Sequence, residues 1–370
     1  MDSPAPFDIF LVAMPGLEAT VADEARARGF AGVTLVEGGA TLTGGWPEVW
    51  RANLELRGPT RVLVRIASFR AMHLAQLDKR ARKVAWGEVL RADVPVTVEA
   101  SCRKSKIYHA GAAAQRVATA IREELGAPVT DDAMLRVMVR IEDDLVTISL
   151  DSSGESLHKR GHKEAVNRAP MRETMAAMFL AQCGYAGTEP VLDPMCGSGT
   201  FVIEAAEIAL GLQPGRTRRF AFEQFKGFDA AAFAALRSPA PRGTELTFFG
   251  SDRDTGAIAM SRENAERAGV AALTRFEERA IADVQRPDGP PGLVIVNPPY
   301  GTRIGDRPGL MPLYQTMGKV LKARFTGWRV GIVATDKVLI NATGLPFLPP
   351  APSVLHGGLR VTLWRTGVLG

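Results

Sequence analysis

The residues with the most chemical content are Asn297-Pro298-Pro299-Tyr300, which follow the apolar run Leu293-Val294-Ile295-Val296. Four consecutive aliphatic residues ahead of a turn predict a buried strand, so the cluster sits at a strand end. The Asn297 side-chain oxygen and a carbonyl of the proline turn can each accept a hydrogen bond from an NH2 group. Proline fixes the backbone that carries them, and an aromatic ring can stack on an extruded base. The pattern suits a site that methylates an exocyclic amine of a nucleobase. Asn and Pro are also common turn residues, so the tetrapeptide taken alone is equally a strand-ending turn.

Upstream context separates the two readings. Val191-Leu192 runs into Asp193-Pro194-Met195-Cys196-Gly197-Ser198-Gly199-Thr200, and Phe201 to Ala206 then predicts a helix. Gly197 and Gly199 let backbone approach a ligand closely, and the helix start offers free N–H groups. A dinucleotide-binding turn requires G-x-G-x-x-G and an acidic residue about 20 positions on. Here Val202 stands at the third glycine position, and the next strand-end acid, Asp252, is much further along. The Asp-x-x-x-Gly-x-Gly form instead resembles the first motif of class I S-adenosylmethionine (SAM) methyltransferases. That resemblance implies a loop around the methionine part of SAM. It also implies a carboxylate, Asp252, for both ribose hydroxyls and an acid, Asp283, facing the adenine amine. Each acid alone reads as a loop Asp; their order, each after a strand-like run, carries the signal.

These residues must be positioned by an alternating α/β architecture. From residue 170 onward, strands are expected at about 190–193, 246–251, 274–278, 293–296 and 329–334, with helices between them. Ligand residues at strand C-terminal ends mark a doubly wound, mostly parallel sheet of Rossmann type. A stretch from about Gly211 to Gly243, with Arg216, Arg218, Arg219 and a Pro-rich end at Pro239 and Pro241, reads as an insertion near the site. The first 66 residues show a βαββαβ order, an α+β ferredoxin-like unit. A second α+β region follows, with helices near 73–86 and 111–125 and strands at 94–100, 135–141 and 145–150. The boundaries so placed are 1–66, 67–165 and 166–370.

Charge is distributed unevenly. Residues 61–122 carry 13 Lys and Arg against 4 Asp and Glu, whereas residues 1–60 carry 4 against 8 and residues 123–165 carry 5 against 10. A basic segment between two acidic ones is the electrostatic footprint of a phosphate-contacting surface; a solvated helix face is the competing reading for Lys79-Arg80-Ala81-Arg82-Lys83. No apolar run has membrane-helix length, and Met1 to Pro6 lacks the character of a signal peptide, so the cytoplasm is the default compartment. Cys102, Cys183 and Cys196 are too few and scattered for a disulfide framework or a zinc site. A cysteine nucleophile at Cys196 is disfavoured, because it lies in the glycine loop and not beside Asn297. No metal is expected, and a monomer is the default.

Three segments together resemble the THUMP-domain RNA methyltransferases, in particular the RlmL-type ribosomal RNA guanine-N2 methyltransferases. They are Ser101-Cys102-Arg103-Lys104-Ser105-Lys106-Ile107-Tyr108-His109, then Asp151 to His162 with Leu157-His158-Lys159-Arg160-Gly161, then Ala169-Pro170-Met171-Arg172-Glu173-Thr174 joined to the glycine loop and to Asn297-Pro298-Pro299-Tyr300-Gly301. Leu313-Tyr314 and Gly327-Trp328 also resemble family positions. The resemblance implies a ferredoxin-like unit (1–66), a THUMP RNA-binding domain (67–165) and a class I methyltransferase domain (166–370). The SAM-contacting set it implies is Thr174, Asp193, Pro194, Met195, Gly197, Ser198, Gly199, Thr200, Asp252, Arg253, Asp283 and Asn297. Its catalytic set is Asn297, Pro298, Pro299 and Tyr300. RNA contact is expected at Arg103, Lys104, Lys106, Lys159, Arg160 and Lys163. Some relatives carry a second methyltransferase; this chain stops at Gly370, so that activity is expected to be absent. Transfer RNA guanosine is the alternative substrate, and a DNA or RNA adenine-N6 enzyme or a non-catalytic RNA-binding protein are the further rivals.

Overall fold

The computed structural model describes residues 6–164, 171–237, 241–300 and 307–370. The boundary expected near 165, the Ala169-Pro170 and Gly301 ends of the family-like segments, and Pro239 lie outside the described residues. The chain forms two compact units: one of Met1–Ala13, Val21–Leu157 and Gly215–Ser238, the other of Met14–Thr20, His158–Pro214 and Pro239–Gly370.

The first unit is built on one seven-stranded sheet. Its strands are β1 (Phe7–Val12), β2 (Thr34–Val36), β3 (Gly39–Gly44), β4 (Arg61–Arg70), β5 (Val96–Arg103), β6 (Leu135–Glu142) and β7 (Leu145–Asp151), in the spatial order β2-β3-β1-β4-β7-β6-β5. β4 is longer than its apolar run Arg61–Ile66 suggests. Its first half pairs antiparallel with β1, Arg61 opposite Val12 and Val64 opposite Ile9. Its other edge pairs with β7 from Leu63 to Arg70 across an irregularity between Arg65 and Ala67. The position expected to divide the ferredoxin-like unit from the next one thus falls inside a strand common to both. The end of β7 is pinned by a buried polar cluster. Val62 N donates to Ser153 Oγ (2.9 Å), Ser153 Oγ to Asn53 Oδ1 (2.6 Å), and Asn53 Nδ2 to Ser152 Oγ (2.9 Å). Each member is paired, as burial of a polar group requires.

The expected insertion is corrected here. Residues 215–237 do not extend the second unit but complete the first. Gly215 N donates to Leu54 O and Phe222 N to Ser152 O, both at 3.0 Å. Phe222 and Phe228 contact Trp50 with ring centroids 6.3 and 5.7 Å apart, and Phe233 meets Phe222 edge-on at 5.0 Å. The cause is apolar area: a fully buried Phe side chain such as Phe222 or Phe233 contributes about 1.5–3 kcal/mol.

The second unit carries β8 (Val191–Asp193), β9 (Phe248–Asp252), β10 (Thr274–Glu278), β11 (Leu293–Val296), β12 (Arg329–Ala334), β13 (Val354–His356) and β14 (Leu359–Arg365) in the order β10-β9-β8-β11-β12-β14-β13. The first five are parallel and β14 runs against both its neighbours. All four residues of β11 are buried, as in a central strand covered on both faces. The sequence order of the strands reverses between β8 and β11, which opens a crevice at their C-terminal ends. β13 and β14 were not anticipated. They form a hairpin through Gly357-Gly358, at φ 57° and 84°, and positive φ at both central residues is what a tight primed turn requires. No described helix is long and apolar enough to cross a membrane.

Candidate active site

The crevice at the reversal point is a cavity of about 740 Å³. Its floor is the glycine loop after β8. Met195 N donates to Asp193 Oδ1 (3.0 Å), and Gly199 N closes the turn on Cys196 O (2.8 Å). Gly197 and Gly199 take φ 53° and 82°, and a side chain at Gly199 would press on Ser261 within 3.2 Å. The helix Thr255–Ala268 holds the loop from outside: Ser261 Oγ donates to Gly197 O (2.8 Å) and Asn264 Nδ2 to Ser198 O (3.1 Å). Cys196 is buried, with its sulfur 3.7 Å from Ser261 Oγ, and burial pushes its thiol well above the ordinary range. It packs against Ser261 of that helix and also lines the cavity.

Asp252 closes β9 and ties two turns together. Its Oδ2 accepts from Gly197 N (3.0 Å) and its Oδ1 from Asp254 N (3.1 Å). Asp193 is 2% exposed, and burial, reinforced by the neighbouring Asp252 charge, pushes its carboxyl up to about 8.

The opposite wall is the turn after β11. Asn297, Pro298, Pro299 and Tyr300 all line the cavity, together with Asp193, Pro194, Met195, Gly197, Ser198 and Thr200 of the loop and Asp252 and Arg253 beyond β9. The Asn297 Oδ1 atom is buried and has no hydrogen-bond partner among the described residues. Pro299 O accepts from Tyr314 Oη at 3.2 Å. Tyr314 projects from the helix Arg307–Arg324, is fully buried, and packs with Val296, Met317 and Ile332 in one apolar core. Tyr300 is 9% exposed, and burial pushes its phenol up to about 12, so it is neutral at physiological pH.

Three residues of the expected SAM-contacting set stand apart from the cavity wall. Gly199 lies under it, at the cap of the helix Thr200–Ala209. Thr174 is fully buried in the helix Glu173–Gln182, its hydroxyl without a partner among the described residues. Asp283 is exposed at the end of the short turn Ile281–Asp283; Ala280 and Ile281 supply the wall there. Sequence reasoning also missed His356, Gly357 and Leu359, which line the cavity from the β13–β14 hairpin. The Gly-Gly pair between two apolar runs was the available signal.

The six cations expected to contact RNA divide. Lys104, Lys106 and Lys159 are exposed, and Arg103 is exposed but paired with Glu37 (2.9 Å) and Glu142 (3.5 Å). Arg160 and Lys163 differ from the other four: Arg160 is buried, and Lys163 is partly buried, its side chain 9% exposed. Arg160 lies 3.4 Å from Glu204, with side chains 2% and 1% exposed. Lys163 Nζ donates to Met171 O (2.6 Å) and Thr200 Oγ1 (2.9 Å) and stands 3.4 Å from Glu173 Oε1. A basic run looks the same in sequence whether it meets water or acids that the fold brings against it.

Three family models match this chain: an RlmL ferredoxin-like domain over residues 8–63, a THUMP domain over 71–151 and an RMKL-like methyltransferase domain over 160–346. The ribosomal RNA large subunit methyltransferase K/L of Syntrophotalea carbinolica is 36% identical over 362 residues, 92% of this chain. The match is 51% of that protein, so the chain spans about half its length. The protein slr0064 of Synechocystis sp., provisionally named an RNA methyltransferase, is 31% identical over 96% of this chain and 95% of its own. Among solved structures, SMU.472, a provisionally assigned methyltransferase complexed with SAH, has a TM-score of 0.90 at 26% identity and covers 100% of both chains. The chain belongs to the RMKL-like methyltransferase family, in the form that carries an RlmL ferredoxin-like domain and a THUMP domain ahead of the methyltransferase domain.

Proposed function

We propose that this chain is a SAM-dependent RNA methyltransferase that forms N2-methylguanosine in large-subunit ribosomal RNA. The observation that carries the reading is Asn297, which lines the same cavity as the glycine loop and whose buried carboxamide oxygen has no hydrogen-bond partner among the described residues. An acceptor of this kind costs free energy unless a ligand donates to it. The THUMP domain and the name of the Syntrophotalea relative support RNA, and ribosomal RNA in particular, as the substrate.

The residues fit SAM. The positive-φ loop presents backbone to a ligand without side chains in the way, and Asp252 stands at a strand end where ribose hydroxyls can donate to it. When bound, SAM supplies an electrophilic methyl group. The protein's task is to present the guanine amine, a poor nucleophile because its lone pair is delocalised into the ring. Asn297 Oδ1 and the Pro298 carbonyl would accept the two amine hydrogens and so favour a pyramidal nitrogen. As the N–CH3 bond forms the S–CH3 bond breaks, the demethylated cofactor leaves, and the nitrogen gives up one of these protons to water. The Pro299 carbonyl is already engaged by Tyr314, and neither proline has an N–H to compete. The Tyr300 ring covers the face of the extruded base. Holding the amine in line for attack would lower the barrier by settling the orientation of the reactants before the reaction.

The test is methyl transfer from labelled SAM to total RNA of cells lacking this protein, with size fractionation, digestion and identification of the labelled nucleoside by mass. N2-methylguanosine in the large ribosomal RNA is the expected result. The same nucleoside in transfer RNA changes the substrate and keeps the chemistry. N6-methyladenosine overturns the base assignment.

A further inference from the structure

The run His158 to Lys163 is basic and was expected to face RNA, yet three of its side chains meet one helix of the methyltransferase unit. Lys163 reaches Thr200, Arg160 reaches Glu204 and His162 Nδ1 lies 3.9 Å from Glu207 Oε1. Positions 200, 204 and 207 fall on one face of the helix Thr200–Ala209, which begins immediately after the glycine loop. A second line runs through the backbone. Arg267 Nε donates to His162 O (2.8 Å), Arg267 also bonds Asn264 Oδ1, and Asn264 Nδ2 holds Ser198 O.

Lys163 is the informative member. Its ammonium joins Met171 O and Thr200 Oγ1, and both of these residues lie on the cavity wall in separate segments of the chain. The third partner, Glu173, is itself only 5% exposed at the side chain. Three donors on one nitrogen match three acceptors converging from different directions, a geometry the planar guanidinium of arginine does not reproduce. Stability is a poor reason for the arrangement, since a buried ion pair gains little over well-packed apolar residues of the same volume. Fixing the spacing of two wall segments is a better one.

We propose that Lys163 is a positioning residue for the SAM end of the cavity and not an RNA contact. It acts through Met171 and Thr200, and Arg160 and His162 hold the same helix further along. This rests on the reading of the cavity as a SAM site.

The test is calorimetric binding of SAM, and binding of RNA at several salt concentrations, for wild type and Lys163→Met. In the variant SAM affinity falls tenfold or more. KM for SAM rises by a similar factor while kcat at saturating SAM stays within about threefold, and RNA affinity with its salt slope is unchanged. Lys163→Arg restores less than half of the lost binding free energy. If Lys163→Met is not recovered folded, Glu173→Gln replaces it, with a loss of SAM affinity of threefold or more. Wild-type SAM affinity in a folded variant overturns the proposal, and so does a reduced salt slope with SAM binding intact, which returns Lys163 to phosphate contact. Failure of the wild type to bind SAM overturns the functional reading itself.

Discussion

Tyr314 Oη donates a hydrogen bond to the carbonyl oxygen of Pro299 at 3.2 Å, so a helix of the apolar core grips the backbone of the Asn-Pro-Pro-Tyr turn directly. Tyr314→Phe removes the grip and leaves the ring in place. A typical hydrogen bond contributes about 0.5–1.5 kcal/mol, so kcat is expected to fall by several-fold to about tenfold with SAM affinity unchanged. Single-turnover kinetics beside calorimetry separates the two. A variant with full rate would show that the prolines hold the turn unaided.

Asn297→Ala deletes an acceptor that has no partner among the described residues. Loss of one positioned hydrogen-bonding group at a reacting centre costs about 10²–10³ in kcat, and that range is expected here. SAM binding should stay within a few-fold, because the glycine loop and Asp252 are untouched. Rates near wild type would remove Asn297 from the chemistry. Tyr300→Phe keeps the stacking ring and should change the rate by less than about threefold.

Asp252→Asn keeps the shape of the side chain and gives up its charge, with one oxygen left for the amides of Gly197 and Asp254. Hydrogen bonds to charged groups are worth about 1.5–3 kcal/mol, so SAM affinity should drop at least about tenfold. Titration calorimetry measures it directly; an unchanged affinity would mean that the ribose is held elsewhere.

The ligand-free protein should lose stability as pH rises through the neutral range. Asp193 carries a carboxyl pushed from 3.8 up to about 8 in the fold, chiefly by burial. The folded form therefore holds the proton more tightly than the unfolded chain. The contribution is fully present below about pH 4 and is lost as pH climbs toward 8, at a slope of at most about 1.4 kcal/mol per pH unit. Asp193→Asn should flatten the dependence of Tm on pH between 5 and 8. An identical slope in the variant would assign the effect to another group.

Lys104→Glu and Lys106→Glu should each weaken RNA binding and lower the magnitude of the salt slope by about one or more. Arg103→Glu should act less cleanly, because Arg103 is already paired with Glu37 and Glu142. Filter binding across a salt series distinguishes them. Three equal effects would mean that RNA displaces the acids from Arg103.

The core of the site was legible because its chemistry is local. Asp193 to Thr200 and Asn297 to Tyr300 each follow an apolar strand, and turn residues at a strand end leave a mark that survives without knowledge of the fold. What escaped depends on partners far along the chain. Arg160 looked like a phosphate ligand because its partner Glu204 lies 44 residues on, and Lys163 because nothing local shows the chain folding back to bring Glu173 against it. The stretch Gly211–Gly243 was read as an insertion because nothing in it shows that Phe222, Phe228 and Phe233 pack with Trp50 of the first unit. The length of β4 was understated because its last residues, Ala67–Arg70, are held by β7 and not by their own apolar character. The hairpin carrying His356 was visible in Gly357-Gly358 and was overlooked.

The return of residues 215–237 to the first unit has a consequence for synthesis. The aromatic partners of Trp50 come from within the span matched by the methyltransferase model. As the chain leaves the ribosome, the amino-terminal half cannot finish folding when its own seven strands are out. It must wait about 80 residues past β7, by which time β8 and the glycine loop have also emerged. A nascent chain stalled near residue 160 would present Trp50 without its cover, a natural foothold for a chaperone. No single cut can divide this protein into two complete parts.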